Sequence, residues 1–249
     1  MIYIRSEEEI EKMRESNRIV SETLHVLGLE MKPGVQTRKL DRIAEEYIHS
    51  QHAKSAFKGY RGYPASICIS IDEEVVHGIP SKRELLAGQI VGIDVGVEKD
   101  GYYGDAAFTF AVGEVSETKA RLMQVTKESL YKGIEKALPG KHLSDIGNAV
   151  QFFVEENGFS VVRDMVGHGI GQKLHECPEV PNYGEPGRGP VLRPGMCLAI
   201  EPMVNAGTFE VYALNDGWTV VTVDHQPSAH YEHTIAITEN GPIILSVSE

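Results

Sequence analysis

The chain repeats itself once, and that repeat limits what it can fold into. Met31-Lys32-Pro33-Gly34 leads into a predicted helix, and Ala137-Leu138-Pro139-Gly140 does the same, 106 positions on from Met31 to Ala137. Leu85 to Asp94 (LLAGQIVGID) likewise parallels Leu192 to Glu201 (LRPGMCLAIE), 107 positions on. In that second pair a turn glycine, Gly88 or Gly195, opens an apolar strand, and the sixth residue beyond the glycine is an acid. Chance likeness of two turn-strand units is the simpler explanation, but it does not account for nearly the same offset in both pieces. The expectation is two similar αβ halves about a pseudo-twofold axis. No Ser/Gly-rich linker divides them, so residues 1–249 read as one domain.

Helix and strand signals fill in the halves. Ser6 with Glu9 forms a capping box, and Ile10, Met13, Asn17, Val20, Leu24 and Leu27 keep helical spacing behind it. Thr37 is the expected cap of a second helix bearing Leu40, Ile43, Ala44, Tyr47 and Ile48. Residues 65–71, 89–97 and 102–112 read as strands. Ser116 caps a helix to about Leu138, and Ser144 or Asp145 opens another that ends near Asn157-Gly158. Further strands are expected at 162–165, 196–205, 219–223 and 231–238.

Composition excludes several partners. With 24 basic and 36 acidic residues the net charge is −12, and no basic run is longer than Lys82-Arg83, which argues against nucleic acid. No run approaches the roughly 18 apolar residues of a membrane helix. The start, Met1-Ile2-Tyr3-Ile4-Arg5 followed by Ser6 and three glutamates, lacks the features of a signal peptide. Three widely spaced cysteines, Cys68, Cys177 and Cys197, make no disulfide framework, so a reducing cytoplasm is expected, with a monomer as the default.

Chemistry gathers at a few polar residues in apolar strands. Asp94 and Asp105 flank a Lys-Asp-Gly turn in a predicted hairpin. One turn register sets Asp94 opposite Asp105 and the next sets it opposite Ala107; both leave the two aspartates on one face. Two carboxylates so close need a shared proton or a metal. Gly167-His168-Gly169-Ile170-Gly171 is not a nucleotide-binding glycine pattern, but His168 and His175 flank its turn in an acid-rich chain. Glu201 ends an apolar strand before Pro202 and needs a partner if buried. Alternation at Tyr231-Glu232-His233-Thr234 sends Glu232 and His233 to opposite faces, which leaves Glu232 as the ligand and His233 as a structural residue. Asp94, Asp105, His168, Glu201 and Glu232 together offer four carboxylates and one imidazole, a set suited to divalent Mn, Fe, Co or Zn. Four negative charges neutralise two divalent metal ions, and shared carboxylates bridge ions roughly 3.5–4 Å apart.

With these residues in hand the whole chain resembles the type I methionine aminopeptidases of the pita-bread fold. The resemblance is carried by Gly59-Tyr60-Arg61-Gly62-Tyr63-Pro64, Val76-His77-Gly78-Ile79-Pro80, Ile93-Asp94-Val95-Gly96, Gly104-Asp105, Gly167 to Gly171, Ile200-Glu201-Pro202 and Tyr231-Glu232-His233-Thr234. The 33 positions from His168 to Glu201 leave no room for the inserted subdomain of type II enzymes, and no N-terminal zinc-binding extension is expected. The resemblance implies an α+β fold, a curved antiparallel sheet with helices on its outer face. It implies removal of N-terminal methionine from nascent peptides, met at the ribosome, when the second residue is small. Asp94 would bind one ion, Asp105 and Glu232 would bridge both, and His168 and Glu201 would complete the other site. Glu201 would also shuttle the proton, while His77 and His175 would contact the scissile amide and the tetrahedral intermediate. For His77 the competing reading is a plain turn histidine.

By family position Tyr60, Tyr63, Cys68, Leu174, Met203 and Trp218 would line the methionine pocket, with core packing as the competing reading for Trp218. Four positions depart from the family pattern. Phe57 stands where a small residue is frequent, Leu174 where phenylalanine is frequent, Ala106 where a hydroxyl is common and His230 where glutamine is common. An Xaa-Pro metallopeptidase of the same fold is the nearest alternative function, and a non-catalytic peptide-binding protein is a more distant one.

Overall fold

The local signals above set where each helix begins. In the computed structural model, which describes residues 1–247, α1 (Glu7–Leu29) starts at the predicted capping box. Ser6 Oγ accepts the Glu9 N–H at 3.2 Å, and the Glu9 carboxylate accepts the Ser6 N–H at 2.9 Å. In α2 (Thr37–Ser50) the cap is Gln36, without a side-chain bond, and not Thr37. The Thr37 hydroxyl is used elsewhere: it donates to the Ser81 carbonyl at 3.1 Å and accepts the Ser81 N–H at 2.8 Å. α3 (Glu117–Ile134) starts at Ser116 as expected but stops before Leu138. There Lys136 and Ala137 tighten into bonds to carbonyls three residues back, at 3.0 Å each, ahead of Pro139. α4 (Leu143–Glu156) is capped by His142, whose N–H donates to Asp145 at 2.9 Å.

Each half lays two helices on antiparallel strands. Ile19, Val20 and Leu27 of α1 and Leu40, Ala44 and Ile48 of α2 are buried against Val91, Ile93 and Val95. Leu122, Val125 and Leu130 of α3 and Ile146, Val150 and Val154 of α4 are buried against Leu198, Ile200, Ile235 and Ile237. The first sheet is built on a hairpin of Ile90–Lys99 with Tyr102–Ala111. The register pairs Asp94 with Ala107 and Gly96 with Asp105, the second of the two turn alternatives. Cys68–Ile71 and Lys54–Ser55 pair with the other edge of Ile90–Lys99. The second sheet runs Gly241–Ile244, His233–Thr238, Cys197–Ile200, Gly167–Gly169, Glu176–Val180, antiparallel throughout.

The internal repeat is visible in the hydrogen bonds. Gly34 N–H donates to the Leu85 carbonyl at 2.8 Å, and Gly140 N–H donates to the Leu192 carbonyl at 2.9 Å. Gly88 and Gly195 have φ of 87° and 86°, a left-handed turn that glycine adopts freely, before the strand Ile90–Lys99, which carries Asp94, and the strand Cys197–Ile200, which stops one residue short of Glu201. The halves meet along one seam. The Glu232 N–H donates to the Ala107 carbonyl at 2.9 Å, Thr234 Oγ1 to the Asp105 carbonyl at 2.7 Å, and Thr109 Oγ1 to the His230 carbonyl at 2.7 Å.

Three predicted strands differ. The expected strand 196–205 breaks at Glu201-Pro202 into Cys197–Ile200 and Met203–Asn205, which lie in different sheets, because proline cannot donate to a ladder. The segment 162–165 is not a strand; pairing ends at Ser160–Val161. The strand expected from residue 65 starts at Cys68, since Asp41 holds the Ser66 and Ile67 amides at 2.8 and 3.1 Å. No helix among the described residues is long and apolar enough to cross a membrane.

Candidate active site

Strand register brings the five predicted ligands together. Asp94 and Asp105 share a face of the hairpin, displaced by one pair of positions. In the other half His168 and Thr234 both pair with Ala199, and Glu201 and Glu232 lie just past the paired ends Ile200 and His233 of those strands. All five line one cavity of about 150 Å³. Donor atoms of Asp105, His168 and Glu232 lie within 4.8 Å of one another, and His168 Nε2 is 3.5 Å from Glu201 Oε1.

This cluster lacks internal charge balance. Asp105, His168 and Glu232 are 3%, 7% and 2% exposed. Asp94 Oδ1, Asp105 Oδ1 and Glu232 Oε1 are buried without hydrogen-bond partners. Burial raises the pKa of Asp94, and burial with mutual repulsion raises those of Asp105, Glu201 and Glu232. Burial also pushes His168 down to about 4, so its imidazole is neutral and free to ligate. Orphaned buried carboxylate oxygens around a neutral imidazole fit divalent cations.

A second set of residues surrounds the rest of the cavity. Tyr60, Tyr63, Cys68, Leu174 and Trp218 line it as expected, joined by Phe57 and by Arg61, which the sequence reading did not single out. Met203 does not line it. Because the chain breaks at Glu201-Pro202, Met203 starts a strand in another sheet and is buried among Val75, Val76, Val162 and Val220. Trp218 packs edge-on to Tyr63 with centroids 5.0 Å apart, and edge-on to His77 at 6.4 Å.

His77 has φ of 60°, a strained conformation for a non-glycine residue. Burial lowers its pKa. His175 lies at the mouth. Its Nδ1 pairs with the Tyr60 hydroxyl at 2.9 Å, its ring lies 4.3 Å from that of His168, and burial, with His168, Arg61 and His77 close by, lowers its pKa. His233 points away: its Nδ1 pairs with Ser246 Oγ at 2.8 Å and its Nε2 with the Tyr131 hydroxyl at 3.3 Å.

Two further contributors had no signal in the sequence. Arg5 and Glu176, far apart along the chain, form a buried ion pair that braces the loop carrying Leu174 and His175. His230, noted only as a departure from the family pattern, lies with Nε2 3.9 Å from Glu201 Oε2.

The sequence model of metallopeptidase family M24 matches residues 11–239. The chain belongs to this family. It is 56% identical to a methionine aminopeptidase of Clostridium acetobutylicum over the full length of both chains. It superposes on the crystal structure of the methionine aminopeptidase of Thermotoga maritima with a TM-score of 0.98 at 47% identity, covering all of both chains. The prolidase of Pyrococcus horikoshii is more distant, with a TM-score of 0.80 and 25% identity over 99% of this chain and 64% of that one. The fold is thus the expected α+β pita-bread architecture, and the chain is a metallopeptidase.

Proposed function

We propose that this chain removes the N-terminal methionine of polypeptides whose second residue is small, using two divalent ions, Co, Fe, Mn or Zn. The reading rests above all on the convergence of Asp94, Asp105, His168, Glu201 and Glu232 on one small cavity. In it Asp94 would hold one ion, Asp105 and Glu232 would serve both, and His168 and Glu201 would complete the second site. Ions bound there supply Lewis acidity, which acidifies a water and polarises the scissile carbonyl. Glu201 carries the proton from the attacking water to the leaving amine. His175, oriented by Tyr60, donates to the developing oxyanion, and His77 holds the scissile amide. A cavity of about 150 Å³ holds one benzene-sized group. Its aromatic and sulfur lining of Tyr60, Tyr63, Cys68, Leu174 and Trp218 suits a thioether side chain and excludes water.

On this reading the substrates are nascent-chain N-termini met near the ribosome in the cytoplasm, and residues 1–249 act as one monomeric catalytic domain. The test is apoprotein reconstituted with each metal in turn and assayed on Met-Ala and Ala-Pro peptides. Metal-dependent release of methionine from Met-Ala peptides is expected; preferential cleavage before proline would overturn the proposal.

A further inference from the structure

Glu201 stands between two imidazoles. Its Oε1 is 3.5 Å from His168 Nε2, and its Oε2 is 3.9 Å from His230 Nε2. His230 is 3% exposed, and its Nε2 is buried with no hydrogen-bond partner. Buried polar atoms of this kind are rare in folded proteins and call for a partner. The backbone that carries the ring is fixed: its N–H donates to Thr109 Oγ1 at 2.9 Å, its carbonyl accepts from the same hydroxyl at 2.7 Å, and it pairs with Met203. His230 does not line the cavity, so it stands behind Glu201. Nε2 is the ring nitrogen placed to give an N–H to the carboxylate.

We propose that His230 is a positioning residue for Glu201, its Nε2–H donating to Oε2 and so turning Oε1 toward the His168 side of the site. The inference rests on the reading of Glu201 as a metal ligand. Closing 3.9 Å to hydrogen-bond length takes a relative shift of about 1 Å between the carboxylate and the ring. A donor on the outer oxygen fixes the carboxylate plane and leaves the inner oxygen free to bind, as outer partners of metal ligands do. Glutamine can present an N–H at similar reach; methionine fills comparable space without a donor.

Two measurements test this without turnover. In protein labelled with ¹⁵N-histidine, with and without zinc, His230 is expected to carry its proton on Nε2; a proton on Nδ1 in either form overturns the proposal. In calorimetric zinc titration of the apoprotein, His230→Gln should bind nearly as wild type does, and His230→Met about 10–100-fold more weakly. Equal affinities for the two variants, both high or both low, overturn it. If His230→Met fails to fold, the tautomer decides. Wild-type protein that binds no zinc would sink the metal reading and this inference with it, whereas an Nδ1 proton sinks the inference alone.

Discussion

Two groups of charged side chains are buried near the same loop, and they differ in whether their charges are matched. Arg5 Nη2 lies 2.6 and 2.5 Å from the two Glu176 oxygens, with the side chains 6% and 4% exposed. Glu176 Oε1 also accepts the N–H groups of Gln172 and Lys173 at 3.0 and 3.1 Å. Positive and negative charge are paired, and the pair ties the start of the chain to the loop of Leu174 and His175. Asp94, Asp105, Glu201 and Glu232 have no buried cationic side chain among them, since burial keeps His168 neutral. Burial of charge therefore does not by itself mark a functional site. A pair complete within the chain is structural, and a group that stays incomplete awaits ions from outside.

Removing one carboxylate from each group should have opposite effects on the metal-free protein. Asp105→Asn should lower methionine release by roughly a thousandfold or more, the scale of several kcal/mol of lost Lewis-acid stabilisation. The same substitution relieves repulsion, so the apoprotein should gain stability on the order of 1 kcal/mol in urea titration. Glu176→Gln should destabilise by about 3 kcal/mol, because it leaves the buried Arg5 guanidinium with only Glu9 Oε1, 3.3 Å from Nη1, as counter-charge. A Glu176→Gln protein with an unchanged melting temperature, or an Asp105→Asn apoprotein less stable than wild type, would break the contrast.

pH separates the groups further. The cluster carboxylates have pKa values raised by burial, so the folded apoprotein binds protons that the unfolded chain has released. That stability is fully present below the unfolded carboxylate pKa near 4 and is lost as pH rises toward the elevated native values. The buried histidines work the other way. His168 and His233, pushed down to about 4, and His230, pushed down to about 3, take stability away only as pH falls below about 6.5. Between about pH 7 and 8 only the carboxylate effect remains; above that the Cys68 and Cys197 thiols, also pushed up by burial, add to it. Apoprotein stability should then fall with rising pH by up to about 1.4 kcal/mol per pH unit for each proton released. Saturating divalent metal should flatten the slope; a flat slope without metal would contradict the imbalance.

The cluster could be read from the chain while the ion pair could not, and the reason is local. Asp94, Asp105 and His168 sit in strands, and Glu201 and Glu232 stand one residue beyond strand ends, so alternation marks the face each points to and separates Glu232 from His233. The repeat also placed Asp94 and Glu201 at equivalent positions, each the sixth residue beyond a turn glycine. Arg5 and Glu176 carry no such pattern, since their contact exists only once the halves have folded. Pairing across sheets had no local mark either. Pro202 marks a strand end after Glu201, but nothing in the local sequence sends Met203 to another sheet and out of the cavity. Thr37 shows the same limit: its cap signal was real, and a tertiary bond to Ser81 overrode it.

The smallest effect tests whether the apolar end of the cavity and its charged end act as one site. Trp218 is the sole tryptophan and lines the cavity, half-buried, against Tyr63 and His77. Free methionine bound there would contact the indole and change its hydration, so the emission maximum should shift by a few nanometres, saturably. Phe57→Ala, which removes another wall of the cavity, should weaken that response by about tenfold, the scale of 1–3 kcal/mol for a hydrophobic contact. Divalent metal should strengthen it, because the ligand's amino group and carboxylate would meet cations in place of four uncompensated acids. An emission spectrum unmoved by methionine in both apo and metal-loaded protein would separate Trp218 from the substrate site and leave it a packing residue.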